Sequence, residues 1–274
     1  MLLFTLQTGF LWYINIYLSQ AKQIKDAVQI PCMVGLGVQT ASLAESILES
    51  GQGDFIALAK QEIADCNWPN KVKNNQEDDI RPCIKCLVGC TDNGIIGHHP
   101  IRCAVNPTVY KYYEDKYPQA KVVKNVAVIG AGPAGMEAAL TLVKRGHKVT
   151  VYEKRKIGGT LHEASSADYK KDIKLFINYY EKQAQKYHLN IIQEEATYDT
   201  IVNGGYDACI IATGGKPRTL DVNGLETGKV TYALNYLNGE VKFDGENALV
   251  IGGGITGAEV AVELAKEGKK VTII

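Results

Sequence analysis

The 274-residue sequence predicts an α/β fold built on parallel sheets. Three observations predict it. Glycine-rich turns at 130–135 (GAGPAG) and 252–257 (GGGITG) each follow a hydrophobic strand pattern and open a helical one. Short helical and strand patterns alternate over residues 18–59, joined by glycine-containing turns. Between these regions lies a loop, residues 81–107, that holds four of the seven cysteines.

Length and composition bound the reading. A chain of 274 residues with 46% hydrophobic and 22% charged residues can bury a sizeable core in about two domains. Thirty basic residues balance thirty acidic ones, which leaves no excess cation to neutralise a phosphate backbone, so nucleic acid is excluded as a partner. The first twenty-one residues carry no charge. A secretory signal needs a positive n-region and a small-residue cleavage site, and neither stands out. Thr5, Gln7, Thr8, Asn15 and Gln20 dilute the run below a spanning helix of ~20 apolar residues. The segment is therefore expected to be buried rather than a membrane anchor, and clustered cysteines place the chain in the reducing cytoplasm.

Along the chain, residues 18–28 predict an amphipathic helix and 30–35 a buried strand. Thr40 caps a helix that ends at Gly51, and residues 54–59 predict the next strand. A short helix then breaks at Pro69. Two strands do not make a stable parallel sheet covered on both faces, so this α/β piece reads as incomplete.

Cys83, Cys86 and Cys90, at C-x2-C-x3-C spacing, can converge from one tight loop, and Cys103 after twelve residues closes a set of four. Such a set suits a cubane iron–sulfur cluster or a structural zinc. Spacing favours the cluster, because zinc more often shows two C-x2-C knuckles. Disulfides rank last, because nothing marks a secreted chain. His98 and His99 inside the loop read as solvated. Cys32, Cys66 and Cys209 read as small buried hydrophobes. The tyrosine-rich stretch 109–123 reads as a linker whose rings cover a domain surface.

From Val126 the pattern becomes a Rossmann-like dinucleotide site. Gly130 permits the tight turn, Gly132 lets backbone approach a pyrophosphate, and Gly135, after Ala134, lets helix and strand pack closely. The helix start offers N–H groups and a favourable dipole to the anion. Glu153, at the end of the second strand and followed by Lys154, accepts from ribose hydroxyls. Gly158 and Gly159 can bring backbone near the cofactor, and a polar helix follows over about 170–187. Two further strands join the same sheet, the second leaving through Ala212, Thr213, Gly214 and Gly215. Gly252, Gly254 and Gly257 repeat the first fingerprint. Two such sites suggest one dinucleotide held as a prosthetic group and one that diffuses in as electron donor. The residue that would separate NADH from NADPH falls beyond Ile274, so both stay open.

Together the cysteine loop, GAGPAG, VYEK (151–154), ATGGKPR (212–218) and GGGITGAE (252–259) resemble the iron–sulfur flavoenzymes of the 2,4-dienoyl-CoA reductase and NADH-dependent enoate reductase group. The resemblance covers roughly residues 17–274. It implies four regions: the C-terminal part of a (β/α)8 FMN barrel like that of the old yellow enzymes (1–80), the cluster loop and linker (81–122), the first part of an FAD domain (123–215) and the start of an NAD(P) domain (216–274). It also implies that Cys83, Cys86, Cys90 and Cys103 bind one [4Fe–4S] cluster. Hydride would pass from NADH or NADPH to FAD, and electrons singly through the cluster to FMN, which reduces an activated C=C bond of an enoyl or enoate substrate. Gly35, Gly37 and Lys60 would face the FMN phosphate. The family commonly shows Gly-Arg where this chain has Ala59-Lys60, and Lys lacks the bidentate fork of Arg.

Six earlier barrel strands and the completion of the nicotinamide domain are not matched, so the resemblance implies a piece truncated at both ends. Such a piece is expected to carry the electron-transfer portion without full turnover, and a partner chain could supply the missing barrel. Two other readings stand beside it. One is an electron-input subunit similar to the small subunit of glutamate synthase, which usually carries more cysteines and no upstream barrel strands. The other is a non-catalytic nucleotide-binding remnant.

Overall fold

The computed structural model describes residues 16–35, 37–109, 117–218 and 223–274. The uncharged start, up to Asn15, and the linker tyrosines at 110, 112 and 113 lie outside the described residues. The chain divides into two compact units. One comprises Met1–Ala120 with Leu175–His188, and the other Lys121–Lys174 with Leu189–Ile274.

In the first unit, α1 (Ile16–Ala27), β1 (Met33–Val34), α2 (Ala41–Glu49) and β2 (Phe55–Ile56) realise the expected helix–strand rhythm. The two strands pair in parallel, Met33 opposite Phe55 and Val34 opposite Ile56. Each is shorter than its hydrophobic run, because a lone pair has a single ladder to hold it. Val34, Val38, Ala44, Ile47 and Trp68 form the core, closed by Leu18, Ala21, Leu43, Ile56, Leu58, Val72 and Ile80. Thr40 caps α2, its hydroxyl accepting from the Leu43 amide at 3.3 Å. Asp54 accepts from the Cys32 amide at 2.8 Å and pairs with Lys25 at 2.6 Å, tying α1 and the approach to β1 to the start of β2. The backbone bond, with Lys25 beside it, holds the Asp54 carboxyl below its ordinary range.

Pro69 begins a helix rather than breaking one. Residues 60–73 form two short helices, α3 (Lys60–Ala64) and α4 (Trp68–Lys73), with Pro69 in the first turn of α4, where its missing N–H costs nothing.

The second unit holds a four-stranded parallel sheet of order β5-β4-β3-β6, from β3 (Asn125–Ile129), β4 (Lys148–Tyr152), β5 (Asn190–Ile192) and β6 (Ala208–Ile211). Helix α5 (Pro133–Lys144) crosses between β3 and β4, burying Gly135, Met136, Ala139 and Leu140. A short helix, α6 (Leu161–Ala164), follows β4. Helix α7 (Asp172–Lys186) belongs from Leu175 onward to the first unit and buries Phe176, Ile177, Tyr179, Tyr180, Gln183 and Ala184. The composition of this segment read as polar, but its apolar residues share one stripe. After α8 (Tyr198–Val202) and α9 (Ala233–Leu237), β7 (Asn247–Val250) and β8 (Lys270–Ile273) form a second parallel pair crossed by α10 (Ile255–Lys266). Ala248, Val260 and Leu264 centre the small core there.

The fold is thus the expected α/β type, with a barrel-like strand–helix repeat, a cysteine loop and a Rossmann-like region. The three remaining thiols depart from expectation. Cys66 and Cys209 are exposed and Cys32 is half-buried. Cys209 lies on β6, an edge strand of its sheet, and Cys66 lies in the turn between α3 and α4. Among the described residues no helix is long and apolar enough to cross a membrane.

Candidate functional site

The cysteine loop is not wholly irregular. Its middle stretch, Val88–Ile96, winds as a π-helical turn, entered through Lys85 and Leu87 at positive φ (52° and 61°). Left-handed positions of this kind reverse the local course of the chain. Cys83, Cys86, Cys90 and Cys103 line one pocket together with Lys60, Gly89 and Arg102. Burial pushes the Cys83 thiol up to about 11 and also raises Cys86, and the neighbouring Cys90 and Cys103 reinforce both shifts. The four sulfurs therefore share one electrostatic environment.

Among the described residues no three His, Cys, Asp or Glu side chains gather closely enough to hold a single metal ion. Four thiols that line one pocket are compatible with the outer corners of a polynuclear cluster. His98 and His99 are exposed, as the solvated reading expected.

Residues outside the motif hold the loop in place. The Gln61 side chain, 3% exposed, donates to the Arg81 carbonyl at 2.9 Å and accepts from the Cys83 amide at 3.0 Å. Gln39, just past the β1 exit, donates to the Cys83 carbonyl at 2.5 Å, and the Trp68 indole donates to the Gln39 carbonyl at 2.9 Å. Arg81 is anchored at both ends. Its amide donates to buried Asp65 at 2.8 Å, its guanidinium to the Val105 carbonyl at 2.5 Å, and the guanidinium sits 5.0 Å from the Tyr179 ring centroid. Gly89 brings in the fourth cysteine. Its carbonyl accepts from the Arg102 amide at 3.0 Å, and a Cβ there would lie 2.3 Å from the Arg102 carbonyl oxygen. The loop thus meets the ends of β1 and β2, where parallel barrels carry their phosphate-binding loops.

Of the residues expected at an FMN phosphate, Gly35 follows β1 and Gly37 turns with φ 85°. Lys60, at the start of α3, is placed on the wall of the cysteine pocket.

In the second unit the two glycine turns are near-copies. Gly130 and Gly252 have φ of 101° and 105°; Gly132 and Gly254 cap α5 and α10 with φ, ψ of −69°, −178° and −70°, −178°. A Cβ at Gly135 would lie 1.8 Å from the Gly130 carbonyl oxygen, and one at Gly257 1.9 Å from that of Gly252. Glycine is therefore demanded by the close approach of strand and helix. The copies differ in their surroundings: a Cβ at Gly130 would strike the Ala212 carbonyl oxygen at 2.4 Å, whereas one at Gly252 meets nothing within 4 Å.

Around the first turn, Gly159 (φ 54°) brings its backbone against Gly132, and a Cβ on it would lie 3.0 Å from the Gly132 Cα. The Glu153 carboxylate, 9% exposed, accepts from the Ala131 amide at 2.7 Å through Oε2 and from the Arg155 amide at 2.7 Å through Oε1. Two bonds leave lone pairs on both oxygens for ribose hydroxyls. Lys154 pairs with Glu195 at the exposed surface instead of facing the turn. Ala212 packs on the turn, and Thr213 and Gly214 follow it at the β6 exit, where Gly214 has φ 71° with nothing within 4 Å of its Cβ position. The open N-terminus of α5, the bare backbone of Gly132 and Gly159, and the carboxylate fit the pyrophosphate and ribose of a dinucleotide.

Residues 124–274 match the pyridine nucleotide-disulphide oxidoreductase family. The chain belongs to this family. Relatives extend over nearly all of it. It is 39% identical to an NADH oxidase of Thermoanaerobacter brockii across 93% of its length, and 34% identical to a cinnamate reductase of Clostridium sporogenes across 95%. A solved 2-naphthoyl-CoA reductase, in complex with 2-naphthoyl-CoA, superposes with a TM-score of 0.89 at 32% identity over 94% of the chain. The resemblance to the 2,4-dienoyl-CoA and enoate reductase group is borne out by these relatives. The chain spans about 40% of the length of each of them. As a member of this oxidoreductase family, it uses a flavin and a pyridine nucleotide.

Sequence reasoning passed over Gln39, Gln61, Arg81 and Gly89. Only Gly89 left a signal, a glycine between two of the four clustered cysteines. The others act through contacts 20 to 44 residues distant in sequence, which no local pattern marks.

Proposed function

We propose that the chain is the electron-transfer portion of a NAD(P)H-dependent flavin and iron–sulfur oxidoreductase that reduces activated C=C bonds of the enoate or enoyl-CoA type. The observation that carries the reading is the ring of four thiols clamped against the ends of two parallel strands, in a chain with two matched dinucleotide turns. Cys83, Cys86, Cys90 and Cys103 would hold a [4Fe–4S] cluster, and the first turn, with Glu153, would hold FAD. The second turn, with Gly252, Gly254 and Gly257, would take NADH or NADPH. Regions 1–80, 81–122, 123–215 and 216–274 would serve as barrel remnant, cluster loop, FAD domain and start of the nicotinamide domain. Gly35 and Gly37 would approach an FMN phosphate where the rest of a barrel is supplied, by the same chain or by a partner chain. A reducing cytoplasm suits the thiol set.

A bound flavin takes two electrons as hydride and releases them one at a time, and a cluster carries one. The chain's own residues bind and orient. Gly132, Gly159 and the start of α5 present backbone to the diphosphate, and Glu153 holds the ribose and the turn together. Gln61, Gln39 and the Gly89–Arg102 contact keep the thiols in register.

Anaerobic purification tests the reading: the chain should carry about four irons and four sulfides, lost together with the visible absorbance on Cys86→Ala or Cys90→Ala. Stoichiometric zinc with no sulfide would sink it. NADH added to FAD-loaded protein should bleach the flavin, and a flavin that stays oxidised would favour a non-catalytic nucleotide-binding role.

A further inference from the structure

We infer that Glu163 is a positioning residue of the first dinucleotide turn, acting through Arg155 to aim the Glu153 carboxylate and to hold the backbone of Gly158 and Gly159 along that turn. This rests on the FAD reading proposed above and adds to it a residue that need not touch FAD itself.

The Arg155 amide donates to Glu153 Oε1 at 2.7 Å, so the carboxylate that would face the ribose takes its orientation in part from residue 155. The Arg155 guanidinium in turn donates to Glu163 Oε1 at 2.5 Å, and the Glu163 side chain is 4% exposed against 40% for Arg155. The buried carboxylate is the fixed end of this pair. Glu163 sits on α6, which begins just past Gly159, so the pair closes a loop, 155–163, that contains both glycines. That loop lies against the turn: the Gly158 amide donates to the Ala131 carbonyl at 2.8 Å, and a Cβ on Gly159 would lie 3.0 Å from the Gly132 Cα. One ion pair thus ties together the carboxylate and the bare backbone on which ribose and diphosphate would rest.

The loop needs such a closure. Gly158 and Gly159 stand at φ of 112° and 54°, and glycine loses more conformational freedom on ordering than any other residue. Burial works to raise the Glu163 carboxyl, but the bond from Arg155 and its charge hold it below its ordinary range, so the pair is ionic at neutral pH. Removing either partner leaves the loop unclosed, and removing Arg155 also leaves a buried charge without its cation. Lys154, the neighbouring cation, pairs with Glu195 at the surface and leaves this role to Arg155.

The test uses the full chain as wild type, Glu163→Ala, Glu163→Gln, Arg155→Ala, the double variant Arg155→Ala with Glu163→Ala, and Glu163→Ala combined with Glu153→Ala. FAD affinity is titrated by flavin fluorescence, displacement of FAD by ADP is followed in the same way, and thermal midpoints are recorded without ligand. FAD affinity should fall about ten- to a hundred-fold in Glu163→Ala and in Arg155→Ala, as loss of one charge-assisted bond predicts. The double variant should lose no more than either single one, with Glu163→Gln intermediate. ADP, which carries the ribose and diphosphate without the flavin ring, should lose affinity alongside FAD. Beside Glu153→Ala the loss from Glu163→Ala should shrink, because one of the two groups it positions is gone. Unchanged FAD affinity in Glu163→Ala and Arg155→Ala, even with lowered midpoints, overturns the inference, makes the pair structural and leaves the FAD reading standing. So does a Glu163→Ala loss that is undiminished beside Glu153→Ala. Should Glu163→Ala fail to fold, Arg155→Ala, which removes an exposed guanidinium, decides in the same way. A wild-type chain that binds no FAD removes the FAD reading itself, and the inference with it.

Discussion

Gly130 and Gly252 share a backbone conformation yet face different neighbours, which separates two reasons for a glycine. Alanine at Gly252 meets only the strain of φ 105°, about 1–3 kcal/mol. Alanine at Gly130 adds a collision with the Ala212 carbonyl and must move β6, so its thermal unfolding midpoint should drop further and its FAD binding should be lost. Equal midpoints for the two variants would show that the β6 contact does not matter. Glu153→Ala leaves the Ala131 amide unpaired in the turn. Charge-assisted bonds of this kind are worth about 1.5–3 kcal/mol each, so both stability and FAD affinity should fall, with Glu153→Gln intermediate in a titration of flavin fluorescence. Burial penalises the thiolate and pushes Cys83 up from its ordinary 9.0 to about 11. In the cluster-free protein the folded state therefore keeps its proton where the unfolded chain has lost it. The stability this contributes is complete below pH 9 and lost as pH rises toward about 11, which denaturant midpoints across that window will read. Loading thiolate ligands at neutral pH must release those protons.

At the scale of elements, the cysteine loop depends on α3 and on its own π-helical turn. Gly89→Ala would push a methyl into the Arg102 carbonyl and displace Cys103 from the other three thiols, so iron content should fall sharply while the rest of the fold persists. Unchanged iron after this substitution would show that Cys103 is positioned otherwise. The reading of α3 and α4 shows what periodicity misses. Pro69 marks an interruption in sequence, but a proline is equally at home in the first turn of a helix, and the Trp68 indole, bonded to the Gln39 carbonyl, sets where that helix starts. Strands β1 and β2 were legible as hydrophobic runs, yet their two-residue extent follows from how few neighbours they have to pair with.

At the scale of the whole molecule, α7 leaves the sequence neighbourhood of the flavin-type sheet to complete the first unit. Phe176, 3% exposed, packs 4.4 Å from the Tyr180 ring centroid, and Lys182, Lys186 and Gln183 bind Asp78 and Asp79. Phe176→Ala should cost about 3–5 kcal/mol, seen as an earlier thermal transition, and should weaken the seat of Arg81 and hence iron retention. No local pattern announces this pairing, because 105 residues separate Gln183 from Asp78.

Sequence alone determined the α/β class, the two glycine turns, the acidic residue after the second strand and the set of four cysteines. Each is a local requirement, since left-handed or tightly packed backbone demands glycine and a cluster demands thiols at short spacing. Only the tertiary structure decided that Gln39, Gln61, Arg81 and Gly89 hold the loop of those thiols, that Lys60 lines their pocket, that Lys154 turns to Glu195, and that Cys66 and Cys209 are exposed. The reason is physical: these assignments depend on hydrogen bonds, burial and charge between residues far apart in the chain, and such terms exist only once the elements have packed.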